Sequence, residues 1–180
     1  MRAHEFDHIL GAAANVTGEA EFVVIGSQAI LGSVDDPPEE LLQSMEADLY
    51  PLANPADADK IDGALGDGSY FHVAYGYYAH GVGPETAKAP TGWENRLVRR
   101  EVPPRPGSDR HTVAWCLEVH DLVLSKCAAG RERDWDYARE ALAAGLVRAD
   151  TLLELVNDLP LPDRQRNQVT AMLGSLISGA

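Results

Sequence analysis

Glu21-Phe22-Val23-Val24-Ile25-Gly26-Ser27, followed 18 residues later by Glu46-Ala47-Asp48-Leu49-Tyr50, is the stretch from which the rest of the chain is read. The first segment is a short apolar run rich in β-branched residues, bounded by polar residues and by Gly26, and predicts a buried strand. Ser27 to Leu31 then reads as the start of a helix with Ser27 at or near its N-cap. In the second segment acidic and apolar residues alternate, the pattern of a strand with one polar face, and Pro51 stops it. The order is therefore strand, Gly-Ser turn, helix, strand.

Working outward, Phe6, Ile9, Leu10 and Ala13 recur at helical spacing, so residues 3–15 predict an amphipathic helix. Residues 33–38 read as a loop, 39–45 as a helical turn and 57–65 as a helix. The aromatic and β-branched content of 69–78 predicts a strand, and the glycines and prolines of 79–95 a loop. Strands are expected around 96–102 and 111–117, joined by a Pro-rich hairpin-like loop at 103–109. Beyond Leu117 the pattern changes to helices at about 120–129, 132–144, 149–158 and 163–177. The expected class is α/β: a small mixed β-sheet with helices, followed by a helical C-terminal third. The boundary falls near residue 118, giving a core of 1–118 and a helical region of 119–180 packed on it, or one single domain.

Of the 180 residues, 28 are acidic and 15 basic, a net charge of −13. The charge is uneven: −13 over residues 1–87, +3 over 88–110 and −3 over 111–180. The acidic total argues against a polyanionic partner, while the local strip containing Arg96, Arg99 and Arg100 can still meet phosphates. No run of 18 apolar residues exists and the N-terminus lacks the layout of a signal peptide, so a cytoplasmic protein without a membrane span is expected. Cys116 and Cys127 sit among apolar neighbours at no metal-binding or redox spacing and read as buried free thiols.

The chemistry lies in the first stretch. Gly26 lets backbone approach a ligand closely, the following N–H groups suit phosphate, and Ser27 adds a hydroxyl. Glu46 and Asp48, two apart in a strand, emerge on one face and repel each other unless a cation lies between them. Mg²⁺ or Mn²⁺, with oxygen ligands and a link to substrate phosphates, is the expected occupant. Read singly, the Gly-Ser pair is an ordinary turn and the two acids a solvated strand face; their order along the chain gives them weight.

That order resembles the DNA polymerase β-type nucleotidyltransferase superfamily, whose signature is apolar–Gly–Gly/Ser, a spacer, then acid–apolar–acid–apolar. Ile25-Gly26-Ser27 and Glu46-Ala47-Asp48-Leu49 fill it, with a spacer longer than usual whose extra residues can lie in the Asp35-Asp36-Pro37-Pro38 loop. Leu117-Glu118-Val119-His120-Asp121-Leu122, Lys126 and Arg131-Glu132-Arg133-Asp134 are similar to the helix-borne block of the AbiEii/MenT-like nucleotidyltransferases, toxins of bacterial toxin–antitoxin systems.

The resemblance implies transfer of a nucleoside monophosphate from an NTP, with Glu46 and Asp48 as metal ligands and Gly26, Ser27 and Lys126 on the phosphates. It gives Asp134 as the candidate third acid, acting on the acceptor hydroxyl or on the metal shell, a position that equally suits a helix cap. It also implies an acceptor such as tRNA and a cognate antitoxin. The local enrichment in arginine makes Arg96, Arg99, Arg100, Arg131 and Arg133 either candidate acceptor or phosphate contacts or plain surface charges. The alternatives are transfer to a small molecule such as an antibiotic, which the acidic first half suits, and a non-catalytic nucleotide-binding or regulatory module. His72 and His80 read as packed histidines, with His72 the one that could instead face the site, and Trp93 with Arg96 as a cation–π anchor or a pair that stacks a base.

Overall fold

Five strands form a single mixed sheet, in the order β3-β2-β1-β5-β4. The strands are β1 (Glu21–Ile25), β2 (Glu46–Pro51), β3 (Tyr78–Gly81), β4 (Val98–Val102) and β5 (Thr112–Cys116). The computed structural model describes residues 1–104 and 111–179. β1 lies at the centre, antiparallel to β2 and parallel to β5, and its last four residues are all buried, as an apolar run at that place must be. β2 runs parallel to β3, and β4 pairs antiparallel with β5. The β4–β5 connection, read as a hairpin loop, passes through 105–110 and so lies largely outside the described residues.

The helices are α1 (Ala3–Thr17), α2 (Ala58–Leu65), α3 (Tyr70–Tyr75), α4 (Val119–Ala129), α5 (Glu132–Ala143), α6 (Ala149–Leu155) and α7 (Asp163–Gly179). α1 buries Phe6, Ile9, Leu10 and Ala13, the stripe its periodicity predicts. It packs with α2 against the sheet, while α4 and α5 pack on each other, and α4 also packs on the segment after β1. One hydrophobic core takes in Phe6, Phe22, Leu49, Leu122, Ala138 and Leu173, so the helical C-terminal part shares its apolar interior with the sheet.

Two expectations fail here. Residues 69–78 are not a strand: Tyr70–Tyr75 form α3, capped by the Ser69 hydroxyl accepting from the His72 N–H at 3.1 Å and closed by Gly76 at φ 79°. Cap and terminator outweigh the β-leaning composition between them. The strand begins at Tyr78 and runs into the stretch read as loop. Ser27 is not a helix N-cap either. Ser27–Gly32 is a six-residue 3-10 segment with Gly26 at the cap position, and the Ser27 side chain caps nothing. Such a short segment adds little dipole, so anything binding there depends on side chains.

Candidate active site

The β1–β2 register sets Ile25 opposite Asp48, which brings the turn after β1 directly over an acidic side chain. Gly26 has φ 69° and ψ −169°, and a Cβ built there would lie 2.0 Å from Asp48 Oδ2. Only glycine suits both the backbone angle and the space. The long spacer is folded away by a 3-10 segment at Ser27–Gly32, a loop at 33–38 and a second short turn at Glu39–Leu41. Gln28 Nε2 then donates to the Ser44 carbonyl at 2.9 Å, tying the turn to the residue just before β2.

Along β2, Ala47 and Leu49 point into the core while Glu46 and Asp48 share the opposite face. β3 repeats the pattern in register. Glu46 is paired with Tyr78, Ala47 with the equally buried Ala79, and Asp48 with His80. The consequence is a cluster in which ligand atoms of Glu46, Asp48 and His80 all lie within 4.8 Å of one another. His80 Nδ1 is 2.9 Å from Glu46 Oε1 and 3.2 Å from Asp48 Oδ1, and the Tyr78 hydroxyl donates to Glu46 Oε2 at 3.3 Å. Burial, reinforced by the Glu46 charge, pushes the Asp48 carboxyl up to about 6. Two carboxylates short of counter-charge, with an imidazole beside them, are a donor set that a divalent cation can bridge.

Lys126 approaches from α4. Its Nζ donates to Ser27 Oγ at 2.8 Å, lies 3.7 Å from Asp134 Oδ1 and stands 4.7 Å from the centroid of the Tyr137 ring. The Tyr137 hydroxyl in turn donates to the Ser27 carbonyl at 3.2 Å. Burial lowers the Lys126 pKa, and the Asp134 charge works against that fall. Asp134 is not part of the three-residue cluster. It sits at the start of α5, where Oδ2 accepts from the Arg131 backbone N–H at 3.2 Å and from Arg131 Nε at 2.7 Å. Both of its oxygens face cations, so it is built as a cap and as the counter-charge to Lys126.

These groups line one cleft of about 820 Å³, within the size range of small-ligand pockets. Gly26, Ser27, Glu46, Asp48, His80, Lys126, Arg131, Arg133 and Asp134 are all on its wall. Arg96 and Arg99 are not. Arg96 makes a two-pronged ion pair at 2.8 Å with the fully buried Asp121 and also donates to the Pro90 carbonyl, which replaces the expected contact with Trp93. Arg99 pairs with Glu101, and Arg100 with Asp7 and the Leu31 carbonyl. Among the described arginines of the strip, Arg96 and Arg100 are thus committed to internal partners and Arg99 to an exposed ion pair. His72 pairs with Asp67 and packs its ring on Tyr78, with centroids 4.7 Å apart, and is not itself one of the three cluster residues. Cys116 and Cys127 are buried free thiols.

His80 and Tyr137 are the residues the sequence reading missed. The signal for His80 was present, because Tyr78-Ala79-His80 repeats the polar–Ala–polar alternation of Glu46-Ala47-Asp48. A strand placed too early hid it. Among the described residues no helix is long and apolar enough to cross a membrane. No curated protein and no solved structure matches the chain. The family model described as "Nucleotidyltransferase of unknown function (DUF6036)" matches residues 5–172, and the chain belongs to that family.

Proposed function

We propose that this protein is a metal-dependent nucleotidyltransferase that moves a nucleoside monophosphate from an NTP to an acceptor hydroxyl and releases pyrophosphate. The observation that carries the reading is the convergence of two elements on one cleft: the Glu46/Asp48 pair beneath the Gly26 turn, and Lys126 on Ser27. Glu46 and Asp48 are the residues that hold Mg²⁺ or Mn²⁺. Such an ion, when bound, neutralises charge on the triphosphate and orients in-line displacement at phosphorus. Gly26 lets the turn after the central strand lie close over Asp48, Ser27 offers a hydroxyl, and Lys126 offers a buried ammonium held in place by Ser27 and Tyr137. Asp134 and Arg131 position Lys126 rather than meeting the acceptor.

For the acceptor, resemblance to the AbiEii/MenT-like toxins supports an RNA 3′ end such as that of tRNA, with a separate antitoxin. Lys88 and Arg133 on the cleft wall are the cations that remain for RNA phosphates. A second acceptor class, a small cationic hydroxylated molecule, is favoured by Glu40, Asp136 and Glu140 on the same wall. Each radiolabelled NTP incubated with total RNA and with a panel of such small molecules tests both. Label in RNA or in a small molecule, lost in a Glu46→Ala/Asp48→Ala double variant, is expected. Label in neither, together with no NTP binding by calorimetry, would overturn the enzymatic reading.

A further inference from the structure

We propose that His80 is a third protein ligand of the divalent cation and that its nitrogen makes the site select Mn²⁺ over Mg²⁺. The inference rests on the metal-dependent reading above. An octahedral ion with bonds of about 2.1 Å places neighbouring donor atoms about 3 Å apart. The two separations made by His80 Nδ1, 2.9 Å to Glu46 Oε1 and 3.2 Å to Asp48 Oδ1, already have that value. The imidazole is thus close enough to both carboxylates to share an ion with them.

The framework holds it there. β2 and β3 run parallel with Asp48 opposite His80, so the two side chains rise side by side from one face of the sheet. Ala79 is fully buried, which fixes the facing of its neighbours Tyr78 and His80. Gly81 clamps the strand to α2, since a Cβ there would lie 1.9 Å from the Ala58 carbonyl oxygen. Tyr78, one rung earlier, donates to Glu46 and orients its carboxylate. The His80 side chain is 48% exposed, so it is not retained to fill the core.

The chemical consequence follows from the donor atoms. Mg²⁺ strongly prefers oxygen and water, whereas imidazole nitrogen favours first-row transition ions; Mn²⁺ is the member of that series that shares the preference of Mg²⁺ for carboxylates, so one added nitrogen is what separates the two ions here. Glu46 and Asp48 alone form an all-oxygen site. With His80, the donor set that would hold the ion becomes one nitrogen and two carboxylates.

Calorimetric titration of the full chain with Mn²⁺ alone and with Mg²⁺ alone tests this, with and without a non-hydrolysable NTP. Pulsed electron paramagnetic resonance of the Mn²⁺ complex adds a direct readout of nitrogen on the metal. Wild type should bind Mn²⁺ more tightly than Mg²⁺ and show imidazole nitrogen coupling. His80→Ala should lose about 10–100-fold in Mn²⁺ affinity, the scale at which ligand-shell changes act, along with the coupling, and change Mg²⁺ affinity far less. His80→Asp should recover binding without the nitrogen signal and narrow the preference between the ions. Equal Mn²⁺ affinity in wild type and His80→Ala, with no nitrogen coupling, would overturn the role of His80 and leave Glu46 and Asp48 in place. Full Mn²⁺ binding by Glu46→Ala/Asp48→Ala, or none by wild type under either condition, would overturn the metal reading itself.

Discussion

Lys126 Nζ donates a hydrogen bond to Ser27 Oγ at 2.8 Å, joining α4 to the turn after β1 across 99 positions of sequence. The ammonium also faces Asp134 and the Tyr137 ring, so its position is fixed before any ligand arrives. A pre-positioned cation gives up little freedom on binding an anion. Lys126→Met keeps the aliphatic stem and leaves Asp134 satisfied by Arg131. It should therefore fold normally yet lose about 10–100-fold in NTP affinity, the equivalent of one charge-assisted hydrogen bond. Calorimetry with ATP, CTP, GTP and UTP checks this; unchanged affinities would remove Lys126 from the phosphate site.

Gly26 is the tightest point of the site. Alanine there would have to hold φ near 69° and place Cβ against Asp48 Oδ2. Gly26→Ala should cost about 1–3 kcal/mol in stability through backbone strain. It should also displace Asp48 and so weaken divalent-ion binding. Chemical denaturation and metal titration measure the two effects. Ser27→Ala brings no backbone strain, but it removes the acceptor of the buried Lys126 ammonium and should cost about 1–3 kcal/mol.

Much of this could be read from the chain. The β1 run, the Glu46/Asp48 alternation and the apolar stripe of α1 are signals of period two or 3.6, strong because burial enforces them. What failed was decided by capping or by distant partners. The Ser69 and Gly76 caps turned an aromatic stretch into α3, and that shift moved β3 onto His80. The fate of each arginine was beyond reach in the same way. Nothing in the local sequence says that Arg96 will find Asp121 or that Arg100 will find Asp7. Such pairings are made by tertiary packing, and one sequence carries no record of them.

Arg96 was a candidate contact for the acceptor, and its geometry predicts a different phenotype. Asp121 is fully buried, and burial raises its pKa even with the guanidinium beside it. Arg96→Ala would strand that carboxylate, at a cost of about 3–5 kcal/mol. Arg133, exposed on the cleft wall, should give the opposite result. Arg133→Ala should leave stability unchanged and, if the acceptor is RNA, reduce the salt dependence of RNA binding by about one unit of slope. Urea titrations and filter binding at several salt concentrations separate the two variants. A salt-independent acceptor interaction would point to the small-molecule class instead.

Asp48 links the chemistry of the site to the stability of the fold. In the metal-free protein its carboxyl is raised from an ordinary 3.8 to about 6, first by burial and then by Glu46. The folded state therefore binds this proton more tightly than the unfolded state does. Stability should be highest with respect to this group below about pH 4, fall as pH rises through the window from about 4 to 6, and then level off. Asp48→Asn removes the charge, so the metal-free variant should exceed wild type above pH 6 by about 1–2 kcal/mol and converge with it at low pH. A divalent cation should reverse that order at neutral pH, because it binds and stabilises only the wild-type site. Thermal unfolding across this pH range, with and without Mn²⁺ or Mg²⁺, reads all three effects. A variant less stable than wild type in the absence of metal would mean that the Asp48 charge is already neutralised within the fold, and the electrostatic case for a cation between Glu46 and Asp48 would fall with it.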